Sequence, residues 1–131
     1  MIFDSSELIA LERNRAAADS LAQGREDEPF GISVVTVAEL LHGVERADSE
    51  GRRVRRKAFV EQVITAFPVF PFDTPAARIY ARLWATLARK GQVVGAHDLI
   101  IAATAISLDY AVVTANRRDF EKIDGLKLEV T

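Results

Sequence analysis

Cysteine is missing from the chain altogether. That excludes a disulfide framework and any metal site built on thiolates. Long hydrophobic runs are missing too, since nothing approaches the roughly 20 apolar residues needed to span a bilayer. The first apolar stretch is interrupted by Asp4 and Glu7 and has no basic segment before it, so it does not read as a secretory leader. A strong charge of one sign is also absent. The formal balance is only −2, which gives no overall attraction to nucleic acid; binding of that kind would need a local basic patch. A soluble cytoplasmic domain with no membrane partner is the expectation. What is present is a hydrophobic share of 49% in 131 residues, enough for a sizeable core and too much for disorder. No repeat, low-complexity tract or linker divides the chain, so one domain covering residues 1–131 is expected.

IFD reads as a short strand. SELIALER opens a helix with Ser5 or Ser6 available as N-cap, and AAADSLAQG reads as a second short helix closed by Gly24. REDEP is polar and turn-like. FGISVV has the β-branched content of a strand. TVAELLHGVERA then places Val37, Leu40, Leu41 and Val44 on one helical face, with Thr36 as its cap. A basic helical segment spans about Glu50 to Ala66, and FPVFPF is extended, punctuated by Pro68 and Pro71. From Thr74, with Pro75 at the first helical position, Ala76, Ile79, Tyr80, Leu83, Trp84, Leu87 and Ala88 form an amphipathic stripe that Gly91 ends. The Ile79/Tyr80/Leu83/Trp84 part of it reads most simply as core, and alternatively as a subunit interface, where aromatic residues are enriched. DLIIAATAISL is apolar almost all round, as a buried helix should be. AVVT is a strand and LKLEV an edge strand. Strands and helices that alternate without hairpin turns make an α/β fold, a mainly parallel sheet covered by helices on both faces.

In such sheets the functional crevice lies beyond the carboxyl ends of the strands. Asp4 sits at one of those ends, where an unpaired carboxylate is costly or stays protonated. Glu39 falls in the first turn of the helix after FGISVV, Asp98 begins DLIIAATAISL, and Thr114, Asn116 and Asp119 follow directly after AVVT. Singly, each acid has an ordinary reading: Asp4 and Asp98 as helix caps, Glu39 as a solvated helical residue off the apolar stripe, Asp119 as a loop acid. Together they do not, because carboxylates gathered at one crevice repel one another unless a cation compensates. With no cysteine and only two histidines, the ligands on offer are hard oxygens, which suit Mg²⁺ or Mn²⁺ rather than Zn²⁺. A carboxylate-held ion of that kind is the site expected for phosphate-ester chemistry.

The stretches MIFDSS, TVAELLHG, GAHDLIIAATAISL and VVTANRRDF, in this order and at these separations, resemble the PIN-domain ribonucleases, specifically the VapC-type toxins of toxin–antitoxin pairs. The resemblance covers essentially the whole chain. It implies a three-layer α/β/α PIN-like fold, Mg²⁺- or Mn²⁺-dependent hydrolysis of RNA, a homodimer or a larger toxin–antitoxin assembly, and inhibition by a cognate VapB-type antitoxin. By motif, Asp4, Glu39 and Asp98 match three acids of the family, as catalytic residues and metal ligands. The fourth acidic position varies among members. Here it falls on Asn116 or Asp119, and Asp119 is favoured, with Asn116 and Thr114 as hydrogen-bonding partners. Ser6 matches the polar residue expected two positions after the first acid.

Arg117 and Arg118 lie nearest the acids and are the candidates for holding a phosphate, with Arg13 and Arg15 as helpers. GRRVRRK, with Arg52, Arg53, Arg55, Arg56 and Lys57, reads first as a solvated helix face, and otherwise as a contact for RNA phosphates or for an acidic stretch of an antitoxin. His97 invites a general-base role, but a metal-activated water does not need one; His42 reads as a surface or packing residue. The alternative in another class is a catalytically silent PIN-like module serving as half of a regulatory complex, which a degenerate acid set would mark. A haloacid-dehalogenase-like phosphatase would require a second Asp where Ser6 stands, and a receiver domain fits no better.

Overall fold

The computed structural model describes residues 1–13, 23–25 and 27–130. The described residues contain five short strands: β1 (Ile2–Phe3), β2 (Ile32–Ser33), β3 (Val69–Phe70), β4 (Val112–Thr114) and β5 (Leu128–Val130). The helices among the described residues are α1 (Ser5–Arg13), α2 (Val34–Glu45), α3 (Glu50–Ala66), α4 (Thr74–Arg89) and α5 (Ala96–Leu108), with a 3₁₀ turn at Phe120–Lys122. None of them is long and apolar enough to cross a membrane. The expected helix over AAADSLAQG lies outside the described residues apart from Gln23 and Gly24.

Every strand pairing is parallel. β1 pairs with β4 and β4 with β5, so β5 is an edge strand as expected, while β2 pairs with β3. A parallel bridge between Ile2 and Gly31 joins the two ladders, with the Phe3 amide donating to the Gly31 carbonyl at 3.0 Å. The strand order is therefore β3-β2-β1-β4-β5.

Because side chains alternate across a strand, the sheet feeds two cores. Ile2 and Val112 pack with Leu87 of α4, Leu99, Ile101, Ala102 and Ala105 of α5, and Phe120 and Ile123. Phe3 and Val113 turn the other way, onto Leu8 of α1, Ile32 and Val63 of α3. This is the expected three-layer α/β/α arrangement.

Several local expectations change. FGISVV does not remain extended: the strand stops at Ser33, and Val34 and Val35 are already helical. The cap of α2 is Ser33, whose Oγ accepts from the Val35 amide at 3.1 Å, and not Thr36, which is buried inside the helix. A serine cap satisfies an otherwise orphaned helix donor, and that outweighs the strand preference of two valines. Glu39 consequently sits in the second turn of α2. Likewise Asp98 does not cap α5; Gly95 does, leaving Asp98 as the third residue of the helix. For α1 the cap is Asp4 and not Ser5 or Ser6, since its Oδ1 accepts from the Glu7 amide at 3.0 Å. On α4, Ala76 and Leu87 are buried, while Trp84 is 62% exposed and stands outside the core. It stacks edge-on against Tyr80, which stacks in turn on Phe72, with ring centroids 5.9 and 5.7 Å apart.

The bridge between the ladders needs a residue without a side chain. A Cβ at Gly31 would sit 2.5 Å from both the Pro68 carbonyl oxygen and the Phe70 ring. Gly31→Ala should cost about 2 kcal/mol through overpacking, lowering Tm by roughly 5–10 °C in calorimetry; an unchanged Tm would mean that the seam is loose.

Candidate active site

The strand order has a switch point. From β1 the chain builds outward through β2 and β3, then returns to lay β4 against the other side of β1. Loops diverge at such a point and leave a crevice beyond the carboxyl ends of the strands. Asp4 follows β1 immediately, and Thr114 ends β4.

Asp4 is 5% exposed and is held by three donors. Its Oδ1 accepts from Ser6 Oγ at 2.7 Å and from the Glu7 amide, and its Oδ2 accepts from Thr114 Oγ1 at 2.6 Å. The hydroxyls are themselves oriented by the backbone after β4: the Ala115 amide donates to Ser6 Oγ at 3.3 Å and the Asn116 amide to Thr114 Oγ1 at 2.9 Å. With those lone pairs occupied, each hydroxyl has its proton free for the carboxylate. Ser6 and Thr114 are therefore where the sequence places them. Asn116 contributes through its backbone, while its side-chain oxygen accepts from the Arg118 amide at 3.4 Å.

The other acids lie around this anchor. Burial raises the Asp98 carboxyl to about 6, and the charges of Asp119, Asp4 and Glu39 push in the same direction against His97. Burial likewise raises Glu39, His97 opposing and Asp4 adding. Asp98 thus feels the charges of three acids from other parts of the chain, and Glu39 that of Asp4. Glu39 Oε1 is a buried oxygen without a hydrogen-bond partner among the described residues, and His97 Nδ1 stands 3.7 Å from it. Asp119 is pinned by Lys122, whose Nζ lies 3.2 Å from Asp119 Oδ1 and also donates to the Val93 carbonyl at 3.0 Å. Among the described residues none of the four acids is paired with an arginine.

Sequence reasoning passed over Lys122, although its spacing of three from Asp119 marks a helical-turn ion pair. Arg117 pairs with Glu121 at 3.1 Å, and Arg118 is exposed. The Arg13 side chain and Arg15 lie outside the described residues. In the basic run, Arg52 pairs with Asp48 at 3.0 Å and Arg56 donates to the Gly43 carbonyl at 3.0 Å.

Among the described residues no three His, Cys, Asp or Glu side chains stand in an arrangement that could already hold a metal ion. The chemistry of the donor set nonetheless fits a hard divalent cation: oxygen ligands only, mutual repulsion, and one buried oxygen with nothing to accept from. The family model described as PIN domain matches residues 1–126. The chain belongs to the PIN-domain family. PIN relatives cover nearly all of it: a protein named Ribonuclease VapC1, from Rickettsia felis, is 38% identical over 128 residues, spanning 98% of this chain and 93% of its own. The tRNA(fMet)-specific endonuclease VapC of Salmonella typhimurium is 41% identical over 98 residues, 75% of this chain and 72% of that one. The crystal structure of DNA-bound VapBC from the same species superposes with a TM-score of 0.82 at 34% identity, covering 98% of this chain and 95% of that one.

The raised Asp98 carboxyl makes the PIN fold pH-sensitive. Its ordinary value is 3.8 and its folded value about 6, so the neutral form is the one that folding favours. Asp98's contribution is intact below about pH 4 and lost as pH rises through about 6. In chelator-treated protein, Asp98→Asn should therefore match wild type near pH 4 and melt a few degrees higher above pH 7. Equal melting curves at both values would show that the acids do not share a field.

Proposed function

We propose that this PIN-domain chain is a metal-dependent endoribonuclease, a VapC-like toxin that hydrolyses RNA phosphodiester bonds and is neutralised by a cognate VapB-type antitoxin. The observation that carries the reading is the half-buried Asp98 carboxyl at the β1/β4 switch point, on which the charges of Asp119, Asp4 and Glu39 converge, beside an Asp4 anchored by Ser6 and Thr114. The ribonuclease names of the relatives and the VapBC assemblies among similar structures support it. A silent module would be expected to have lost acids from this set, and all four are present.

Asp4, Asp98 and Asp119, with Glu39, would hold Mg²⁺ or Mn²⁺. When bound, the ion supplies charge neutralisation for the phosphate and activation of the attacking water. The chain's own residues do the rest. Ser6 and Thr114 donate their hydroxyl protons to Asp4, which holds its carboxyl group in one orientation at the crevice. Asp98, whose carboxyl burial raises to about 6, would bind the ion in its deprotonated form. Lys122 restrains Asp119 and ties it to the segment leading into α5. Arg118, with Arg117 and Arg13, serves the RNA phosphates. The products are a 5′-phosphate and a 3′-hydroxyl end. The chain works as a homodimer, which exposed Phe72 just before α4 and exposed Trp84 on it, joined edge-on through half-buried Tyr80, support as an interface.

Purified free of its partner and incubated with structured RNA and Mg²⁺, the wild type should cleave, and Asp4→Asn should lose roughly 100-fold or more in rate while melting cooperatively. Undiminished cleavage by Asp4→Asn would refute the site assignment. In light scattering the wild type should have the mass of two chains and Trp84→Glu that of one; a monomeric wild type removes the dimer.

A further inference from the structure

Beside the acids lies a depression of about 480 Å³ that the site described above does not use. Its lining comes from the second half of α2 and the start of α5: Ala38, Glu39, His42, Gly43, Arg46 and His97. The volume falls in the range of small-ligand sites, about 300–1,000 Å³. Glu39 is its common wall with the crevice, His97 standing 3.7 Å from that carboxylate.

Two features point to an occupant. Gly43 lies inside α2, where glycine is disfavoured against alanine. Its φ is not positive, and a Cβ there would meet nothing within 4 Å, so neither backbone nor packing requires glycine. Gly43 lines the depression, and a side chain there would stand in open space. The second feature is Arg46, exposed at the end of α2, whose guanidinium has no hydrogen-bond or ion-pair partner among the described residues. Around one hollow the chain has thus set three planar side chains, two imidazoles and a guanidinium. Such groups take unpaired bases by stacking, and the guanidinium also takes a phosphate.

We infer that this depression is a nucleotide subsite for single-stranded RNA: it receives one base flanking the phosphate at the acids, stacked on the imidazoles of His42 and His97, with that nucleotide's phosphate on Arg46. The inference rests on the ribonuclease reading and adds where the strand runs.

The test is binding of a fluorescein-labelled single-stranded RNA to the full chain in EDTA, read by anisotropy over a salt series, together with steady-state cleavage in Mg²⁺. Arg46→Ala should raise Kd about tenfold and flatten the slope of log Kd against log salt by about 0.7. Lys127→Ala, which removes the same charge at the far end of α5 beside Asp109 (2.8 Å), should do neither. His42→Ala should weaken binding and His42→Phe restore it, since a phenyl ring still stacks. Gly43→Ala should raise Tm yet weaken binding. In cleavage, the loss should fall on KM, with kcat within about twofold. If wild type binds and cleaves while Arg46→Ala and His42→Ala match it, the subsite is refuted and the nuclease reading stands. If the variants keep RNA but release the antitoxin, the depression serves the protein partner and the inference is overturned. If wild type neither binds nor cleaves RNA, both readings fail.

Discussion

A carboxyl group that is buried and satisfied by the protein itself is the interaction on which the rest of this structure turns. Asp4 ends the strand that lies at the centre of the sheet, and it does two jobs at once: one oxygen caps α1 while both oxygens take hydroxyl protons from Ser6 and Thr114. Three donors of that quality offset the desolvation of a carboxylate better than burial alone would allow. They also join β1, α1 and β4 at a single point. The switch in strand order is thus mechanically locked by the same residue that gives the crevice its charge.

The other three acids have no comparable support. Asp98 and Glu39 are raised by burial and by their neighbours, and Glu39 keeps a buried oxygen without a donor. Asp119 relies on one ammonium, that of Lys122. The asymmetry is instructive: a site whose members were all satisfied internally would have no use for a cation, and one with none satisfied would not hold its shape. Here one acid is anchored and the rest are left with unmet demand for positive charge. Stability is given up at the crevice and recovered in the two cores on either side of the sheet.

Much of the fold was legible because its signals are local and periodic. Pro75 after Thr74 announced α4, the unbroken apolar run over 99–106 announced the buried α5, and the absence of hairpin turns announced parallel pairing. What misled was a tie between local preferences. Ser33-Val34-Val35 reads as strand by composition, but the seryl oxygen captures the Val35 amide and starts a helix there. At Gly95 the cap carries no side chain at all, so residue type could not advertise it, and Asp98 was free for the crevice. Trp84 looked internal because a helical stripe reports a direction and not a depth; α4 is an outer helix, and its shoulder faces away from the sheet. In the site, the acids were visible as strand-end residues, whereas Lys122 and the depression beside Glu39 depend on how separate elements approach, which no spacing reveals.

The two ladders of the sheet meet, among the described residues, through the bridge from Ile2 to Gly31. Glu39 rides on the helix that leaves β2, on one side of that join, whereas Asp4 and Thr114 belong to the other. A small splay at the bridge therefore opens the gap between Glu39 and its fellow acids as callipers open about their rivet. Gly31, by letting the two ladders approach, bears on that gap from a position outside the crevice.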